Sequence, residues 1–446
     1  MRLLQSEVRD MINFIKKHIS IFVLILALFL TPQSLNIQSE LKMRIIITAI
    51  GVDYNEEKYE VTAQVVRPQN GSEGGGRTAQ LDFITTASDS VSDALYQLSF
   101  LLGKTAGLGH VNSVVFGKSL VESDNVMTAC DYFVRDARIP ASALLLIADG
   151  EAKDEMKNTS SLELSTAIGM QKLFLYKELS MNGVMMQLEQ FLNYYHRIGS
   201  TALISGIKFE EESSSGGGSS GGGSSSGSES GGSGGGSSSS GNSGGSESGG
   251  GSSSGGGNSS NVSKRIKYDN AVYMFKNGKM QYAFESPEEF KGINYLNPKS
   301  EYGIIHVDGV SDEVYDNASV DVYVRDKRIR YDCKFENGKP KCVANISVSR
   351  NEVEEINSKD ANNLELYYTQ KDFITDELKN KLEEEIIKSS MAVFNKAKEY
   401  NADILQLGNK LYARYPKYWK EFYDKYGEEY INHIDFEIDV QIIKTI

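Results

Sequence analysis

The sequence predicts a multidomain protein of mixed α/β or α+β class, in which mixed sheets pack against helices and one Ser/Gly loop is disordered. Between Arg44 and Phe209, short runs rich in Ile and Val alternate with segments of helical periodicity. Beyond residue 270, hairpin signals precede one long amphipathic helix. Strands that alternate with helices favour a layered structure, although the sequence alone does not fix whether the strands are parallel.

Residues 213–261 separate these two parts and contain little besides Ser and Gly. A segment without apolar side chains cannot offset the backbone entropy that folding costs, about 1–2 kcal/mol per residue. We therefore expect a solvated, flexible tether at this point of the chain.

The N-terminal residues indicate export. Basic residues that include Arg9, Lys16 and Lys17 precede the apolar run Ile19 to Leu30. As a helix, this run rises about 18 Å, which is short of the roughly 30 Å of hydrocarbon in a bilayer. We expect an export signal. Because no A-x-A cleavage site follows, persistence as a marginal membrane anchor stays open, and a buried soluble helix is the alternative.

The first folded region opens with a hairpin, in which IIITAIGVDY and KYEVTAQVVRP flank the turn Asn55-Glu56-Glu57. Ser88 is the predicted N-cap of a helix with Val91, Leu95, Leu98 and Leu102 on one face. The other predicted elements are strands at Gln80 to Thr86, Val111 to Phe116, Ala143 to Ala148 and Thr201 to Phe209, and helices through Val126 to Val134, near Leu162 to Leu179 and near Gly183 to Tyr195.

The region after the tether begins with strands on either side of Asn277-Gly278, a dipeptide that favours a type I′ turn. Further strands are predicted at Tyr302 to Val307, Ser319 to Arg325, Arg328 to Glu336 and Cys342 to Val348. The longest helix is predicted from Asp376 to Tyr400, with Thr375 as its N-cap. The last strand, His433 to Lys444, alternates apolar and polar residues and should be half buried.

Two of the three cysteines face each other across a predicted hairpin. In YDCKFENGKPKCVA, a two-residue turn at Asn337-Gly338 places Cys333 opposite Cys342 in a non-hydrogen-bonded pair, where Cα atoms are about 4.5 Å apart. In the same register Pro340, which has no backbone N–H, also falls in a non-hydrogen-bonded pair, so no ladder hydrogen bond is lost. We predict a disulfide, which requires an oxidising site outside the cytoplasm. Two reduced strand cysteines are the alternative, and Cys130 is interpreted as a core residue.

Composition and motifs indicate neither nucleic-acid binding nor catalysis. The formal charge is −13, and no stretch gathers Lys and Arg into a phosphate-binding stripe. His18, His110, His196, His306 and His433 are scattered without metal-ligand spacing, and His110 is interpreted as structural. The sequence has no G-x-S-x-G motif, no phosphate loop and no complete dinucleotide fingerprint. We therefore predict no catalytic residue, cofactor or metal ligand.

Four blocks carry a family resemblance, namely ITAIGVDYNEEKYEVTAQVVRP, GHVNSVVFGKSLVES, RDARIPASALLLIADGEAKD and KAKEYNADILQLGNKLYARYPKYWKEFY. In this order they resemble the Ger(x)C family, the C subunits of bacterial spore germinant receptors. The last block is the most specific, because it is similar to the family's D-I-L-x-x-G and P-x-x-W patterns. The motif residues, expected to be structural, are Gly51, Asp53, His110, Gly117, Asp403, Gly408, Pro416 and Trp419.

The resemblance implies a non-catalytic subunit on the outer face of the inner spore membrane, which acts with A and B subunits in nutrient-triggered germination. It implies a multidomain mixed α/β fold without a cofactor. Family members are commonly lipoproteins, but this chain has no cysteine after its apolar segment, so the segment itself or the partner subunits would hold it at the membrane. The alternatives are a free-standing extracytoplasmic module that binds a small ligand or the cell wall, and an extracytoplasmic hydrolase.

The resemblance also implies a division of the chain. Residues 1–43 are the export signal or anchor, 44–198 an N-terminal α/β domain, 199–310 a middle domain and 311–446 a C-terminal α+β domain. In the family pattern, a strand like TALISGIKF stands just before a hairpin like NAVYMFKNGKMQYAF. The Ser/Gly tract is therefore expected to be a long insertion in one loop of the middle domain, with these segments side by side.

Overall fold

The computed structural model describes residues 13, 16–18, 44–68, 79–158, 166–208, 271–357 and 374–443. These residues belong to one compact unit formed by Met1–Phe209 and Tyr268–Ile446. The predicted Ser/Gly insertion and the apolar run of the export segment lie outside the described residues. Within the described ranges, no helix is long and apolar enough to span a bilayer.

The first sheet is ten-stranded and mixed. Its strands are β1 Arg44–Asn55, β2 Lys58–Pro68, β3 Ala79–Ser88, β4 Thr105–Gly107, β5 Ser113–Phe116, β6 Leu144–Ala148, β7 Met186–Gln187, β8 Thr201–Ile207, β9 Val272–Lys276 and β10 Lys279–Phe284. The order is β10-β9-β8-β6-β5-β1-β2-β3, with β4 beside β1 and β7 beside β6. The central strands β1, β5, β6 and β8 are parallel, and antiparallel hairpins form both edges.

Helices cover both faces of this sheet. They are α1 Val91–Leu102, α2 Lys118–Glu122, α3 Val126–Arg135, α4 Ala152–Asn158, α5 Thr166–Leu179 and α6 Leu188–Tyr195. Leu145 and Ile147 of β6 pack on one face, in the core that includes α1, α3 and α6. Leu144 and Leu146 point to the other face, where α4 and α5 pack. Strands β5 and β6 are buried on both faces, and in keeping with this every residue in them except Ser113 is apolar.

The second sheet is four-stranded, with the order β11-β12-β13-β14. Its strands are β11 Gly303–Val310, β12 Ala318–Glu336, β13 Lys339–Asn357 and β14 Asp435–Ile442, and the helices of this part are α7 Pro287–Leu296, α8 Asp376–Glu399, α9 Leu407–Arg414 and α10 Pro416–Tyr426. Only the β13–β14 pair of this described sheet is parallel. Helix α8 packs its apolar face on the sheet, and the Thr375 hydroxyl accepts its Leu378 N–H at 3.1 Å. The predicted mixed α+β class is confirmed.

The predicted hairpins have the expected geometry. Asn277 and Gly278 have φ values of 52° and 75°, both in the left-handed region that a type I′ turn requires. At the second Asn-Gly turn, Cys333 faces Cys342 in the predicted register and the two form a disulfide, with Cα atoms 4.1 Å apart. The thiol of Cys130 is free and fully buried, as expected for a core residue.

Several predicted boundaries are wrong for identifiable reasons. Ser88 is not the N-cap of α1, because it still pairs with Tyr59 in the sheet; Ser90 is the cap, and its hydroxyl accepts the Asp93 N–H at 3.1 Å. Val134, which was predicted on the apolar face of α3, is 54% exposed, because it lies at the margin of the buried face formed by Val126, Ala129, Cys130 and Phe133. The break predicted near residues 326–327 is absent, because the β12–β13 pairing continues through both residues.

Three further boundaries differ. The helix predicted near Gly183 to Tyr195 begins only at Leu188, because Met186 and Gln187 pair with β6 as strand β7. The last strand begins at Asp435, because residues 427–433 form a 3₁₀ helix. Helix α7 was not predicted, although its sequence signal is clear: Ser286 and Glu289 form a capping box, and Pro287 is the first helical residue.

The strands on either side of the Ser/Gly tract are direct neighbours. Thr201 pairs with Lys276, and Ser205 pairs with Val272, in antiparallel register. This adjacency is what an insertion in one loop requires. Strands β8–β10 join the sheet formed by residues 44–198, whereas β11 belongs to the second sheet. The division into domains at residues 199 and 310 stays a prediction.

We expect that the Ser/Gly tract is dispensable for folding. Replacing residues 213–261 with a short turn should leave the urea midpoint nearly unchanged, because closing a loop costs only about 0.6 kcal/mol more per doubling of its length. Urea unfolding of the full chain and of the shortened chain measures this. Failure of the shortened chain to fold would show that the tract is more than a spacer.

Candidate functional site

Three of the four family-motif residues of the first two blocks, Gly51, Asp53 and Gly117, meet near the carboxyl end of the parallel strands. Asp53 on β1 is completely buried, and its carboxylate accepts the backbone N–H of Ala152 at 2.8 Å and that of Lys153 at 3.3 Å. These amides belong to the first turn of α4, where backbone N–H groups have no partner within the helix. Asp53 therefore caps α4 from a strand almost a hundred residues earlier in the chain.

Two glycines allow close packing around this cap. A Cβ on Gly117 would overlap Oδ1 of Asp53, and a Cβ on Gly51 would lie 2.6 Å from Sδ of Met156 in α4. Because Gly117 has φ −71° and ψ 157°, which any residue adopts, close packing alone is the reason for glycine there. Gly51, Asp53 and Gly117 thus form one cluster. His110 does not join it and has an exposed side chain.

The acids at this edge of the sheet are bonded within the protein. In open α/β sheets, ligands bind beyond the carboxyl ends of parallel strands. Here Asp53 binds backbone amides, and Asp149, just after β6, pairs with Lys118 at 3.2 Å and with Lys208 at 2.8 Å. At the place where such sheets commonly bind a ligand, these two acids are therefore occupied by polar contacts within the chain.

The C-terminal motif contains a second buried aspartate cap. Asp403 is 1% exposed, and its carboxylate accepts the N–H groups of Leu407 and Gly408, each at 2.8 Å. The hydroxyl of Tyr430 donates to the same carboxylate at 2.8 Å. Burial raises the pKa of Asp403 above its ordinary value. Asp403 thus fixes the first turn of α9 without a cationic ion-pair partner among the described residues.

The other residues of this motif pack around the cap. A Cβ on Gly408 would lie 2.9 Å from Cη2 of Trp419 and 2.9 Å from Oη of Tyr430. The rings of Trp419 and Tyr430 meet edge to face with centroids 5.0 Å apart. Pro416 is the first residue of α10, the helix that carries Trp419. Asp403, Gly408 and Trp419 therefore form one cluster, which Pro416 positions without contacting the carboxylate.

Helix α9 also connects the two sheets. Gln406, which precedes the helix, donates from Nε2 to the carbonyl of Thr201 at 3.1 Å, and Nδ2 of Asn409 donates to the carbonyl of Ile198 at 3.0 Å. Both acceptors lie at the start of β8. A Cβ on Gly199, whose φ is 80°, would overlap the hydroxyl of Tyr430. Sequence reasoning missed Gly199 and Tyr430, because neither has a local signal.

A buried lysine caps the opposite end of another helix. Lys327 is 2% exposed, and its ammonium donates to the carbonyls of Asn294 and Tyr295, each at 3.0 Å, and of Asn297 at 2.8 Å. These carbonyls end α7, where the helix has no further N–H donors. Burial lowers the pKa of Lys327 to about 7. No local sequence signal indicates this role, because Lys327 lies within an alternating strand.

A cavity of about 340 Å³ opens beside the second aspartate cap. Its apolar wall includes Leu203, Ile293, Leu296, Ile404 and Leu405, and its charged residues are Glu178, Arg197, Lys299 and Lys410. Glu178 pairs with Lys299 at 3.4 Å. The ammonium of Lys410 lies 4.7 Å from the ring centre of Tyr331, and among the described residues no acid forms an ion pair with Lys410 or Arg197. We call this cavity the junction pocket.

The described residues contain no group of three or more His, Cys, Asp or Glu side chains placed to hold a metal ion. The motif aspartates are engaged by backbone amides and a tyrosine hydroxyl. The arrangement of the motif residues is therefore that of helix caps and close packing.

Gly117→Ala should destabilise the protein by about 1–3 kcal/mol, because the new methyl group would overlap the buried carboxylate of Asp53. Gly109→Ala is the matched control, since the nearest atom to its Cβ would be 3.7 Å away. Urea unfolding of both variants measures the effect. Equal stability of the two variants would contradict close packing at Gly117.

The cap at Asp53 should also give the protein a distinct pH dependence. Burial raises the pKa of Asp53 from 3.8 to about 6, so the folded state binds a proton in this window that the unfolded state has released. Stability therefore falls as the pH rises through the window. Relative to Asp53→Asn, the wild-type free energy of unfolding should fall by about 2–3 kcal/mol between pH 4 and pH 7. A difference that is constant with pH would rule this titration out.

Comparison with known proteins identifies the family. A model described as "Spore germination protein N-terminal domain" matches residues 38–209, and one described as "Spore germination B3/ GerAC like, C-terminal" matches residues 270–444. A search of curated proteins found no match. Among solved structures, the "Crystal Structure of the GerBC protein" is similar at 15% identity and a TM-score of 0.46, over 88% of this chain and 96% of that one. The two family models together span most of the chain, which therefore belongs to the Ger(x)C family of spore germination proteins.

Proposed function

We propose that this protein is the non-catalytic C subunit of a spore germinant receptor, which acts with A and B subunits in nutrient-triggered germination. In this proposal it lies on the outer face of the inner spore membrane. The observation that carries the proposal is the match of both family models, one on each side of the Ser/Gly tract. A predicted export signal and the disulfide between Cys333 and Cys342 support an extracytoplasmic location.

The role of the motif residues supports a subunit without catalysis. Asp53 and Asp403, the motif carboxylates, bind backbone amides, so each stabilises a helix start. A general acid or base would need to reach a substrate proton, yet both carboxylates are at most 1% exposed. The motif therefore serves the assembly and shape of the subunit.

The test is deletion of the gene in its spore-forming host, in a strain that lacks redundant receptors. Spores should lose their response to nutrients and keep their response to a non-nutrient trigger, and the wild-type gene should restore the nutrient response. Normal nutrient germination of the deletion strain would refute the proposal. Affinity purification from spore membranes should recover A and B subunits with the tagged chain.

The junction pocket favours a second candidate, a free-standing extracytoplasmic module that binds a small ligand or a wall component. Apolar walls with Arg197 and Lys410 at the rim suit a small apolar molecule with an anionic group. The same purification distinguishes the two candidates. A free module would be recovered without membrane partners, whereas a receptor subunit would bring them.

A further inference from the structure

Helix α1 exposes a concentrated apolar surface. Among the large hydrophobic side chains of the described residues, the three most exposed are Phe100 at 82%, Tyr96 at 72% and Leu101 at 67%. Tyr96 and Phe100 are four residues apart and lie on the same side of the helix, and Leu101 lies about 100° further around it from Phe100. We call these three residues the α1 patch. Large apolar groups gathered in this way on a surface mark a site of interaction.

The α1 patch is not part of the face that packs on the sheet. The buried residues of α1 are Val91, Ala94, Leu95 and Leu98. A surface helix of a soluble domain normally presents polar residues opposite its buried face, and α1 does so in its first half, where Ser92 and Asp93 are exposed. Its last two turns instead expose Tyr96, Phe100 and Leu101, with Gln97 as the exposed polar residue among them. Burial of the helix in its own domain therefore does not account for the patch.

The location of the patch points to what covers it. Helix α1 ends at the left-handed cap Gly103, and β4 follows at once and pairs in parallel with the start of β1, Thr105 beside Arg44. Arg44 is where the chain enters the fold after the N-terminal segment that contains the apolar run Ile19 to Leu30. Along the chain, the patch thus stands just before the end of the sheet at which β1 begins, where the N-terminal segment is attached.

The surroundings of the patch suit a lipid surface. Lys104 directly follows the helix and is exposed, as is Arg44. Asp136, an acid that lines the groove beside the patch, is neutralised by Arg138 at 2.6 Å and accepts the Tyr132 hydroxyl at 2.9 Å. Asp93, an exposed acid one turn before Tyr96, accepts hydrogen bonds from the Ser88 hydroxyl and, at 2.9 Å, from Nε2 of Gln97. Aromatic and aliphatic side chains with cations at their border are the composition that inserts into the interface of a bilayer with anionic lipids. The whole chain has a net charge of −13, so the cationic character of this border differs from that of the chain as a whole.

A second attachment would also complement the apolar run. The run is too short to span a bilayer comfortably, and a single weak hydrophobic anchor gives marginal, reversible binding. Residues 31–43 connect it to Arg44 and reach at most about 50 Å when extended, which keeps the folded part near the bilayer. Two linked contacts bind far more tightly than either alone, because the second becomes intramolecular.

We propose that the α1 patch inserts into the interfacial layer of the membrane and so orients the subunit. In this orientation β4 and the C-terminal end of α1 lie toward the lipid. The inference deepens the proposed function, because it rests on membrane association and names the surface responsible. Phe100 and Leu101 enter the acyl boundary, and Lys104 remains among the headgroups. No partner subunit is needed for this contact.

The test uses the full chain with an environment-sensitive fluorophore on Phe100→Cys, and uses Tyr412→Cys on α9 as the matched control, because Tyr412 is an exposed aromatic residue at 51%. Cys130 is buried and the other cysteines form the disulfide, so the new thiol is the one that reacts. Each labelled chain is mixed with vesicles of phosphatidylcholine and phosphatidylglycerol. The label at position 100 should shift to the blue, brighten several-fold and be quenched by lipids with a nitroxide on the acyl chain. The control label should keep its aqueous emission.

Several results would overturn the inference. One is aqueous emission at position 100 in chains that float with the vesicles, and another is failure of the chain to float. A blue-shifted label without vesicles that resists the lipid-borne quencher would show that another part of the chain covers the patch. Leu101→Cys repeats the measurement at a second position, and circular dichroism checks that each variant is folded. Because these vesicles contain no other protein, a negative result leaves the germination phenotype as an independent test of the proposed function.

Discussion

The buried carboxylate of Asp403 is the constraint on which the arrangement of the two sheets depends. Such a charge is costly unless hydrogen bonds satisfy it, and two amides of α9 and the Tyr430 hydroxyl do so. The cap fixes the start of α9, whose Gln406 and Asn409 hold the carbonyls of Thr201 and Ile198 beside β8. One side chain thereby sets the contact between the C-terminal helices and the first sheet, and with it one wall of the junction pocket.

The same device occurs at Asp53 and, with opposite charge, at Lys327. In each case a buried ionisable side chain from a strand binds the unsatisfied backbone groups at the end of a helix distant in sequence. This explains why the family-motif positions hold Asp next to Gly. At Gly117 the carboxylate of Asp53 occupies the space that a side chain would need, and at Gly408 the ring of Trp419 and the hydroxyl of Tyr430 occupy it. In this structure the motif residues therefore take part in helix capping and close packing.

Local signals made much of the fold predictable from sequence. The Asn-Gly turns determined two hairpins and the register that pairs Cys333 with Cys342, and Thr375 was identified as the cap of α8. The family resemblance singled out Asp53 and Asp403, but the partners of Asp53 could not be predicted, because a cap supplied from a distant strand has no sequence spacing. Asp403, by contrast, caps amides only four and five residues later in the chain. Lys327 was missed because it also caps a helix from a strand, and Tyr430 was missed because its hydrogen bond to Asp403 joins residues 27 positions apart. The capping box of α7 is a local signal that does predict the start of this helix.

Hydrogen–deuterium exchange of Asp403→Ala most directly tests whether this cap connects the two sheets. The account predicts faster exchange in residues 407–414 and also in residues 198–207, about two hundred residues earlier in the chain. The reason is that Gln406 and Asn409 would no longer hold their hydrogen bonds to the carbonyls of Thr201 and Ile198. Asp53→Ala, the control, should speed exchange at residues 152–158 and leave the start of β8 protected. Faster exchange in Asp403→Ala that is confined to residues 404–415 would contradict the account.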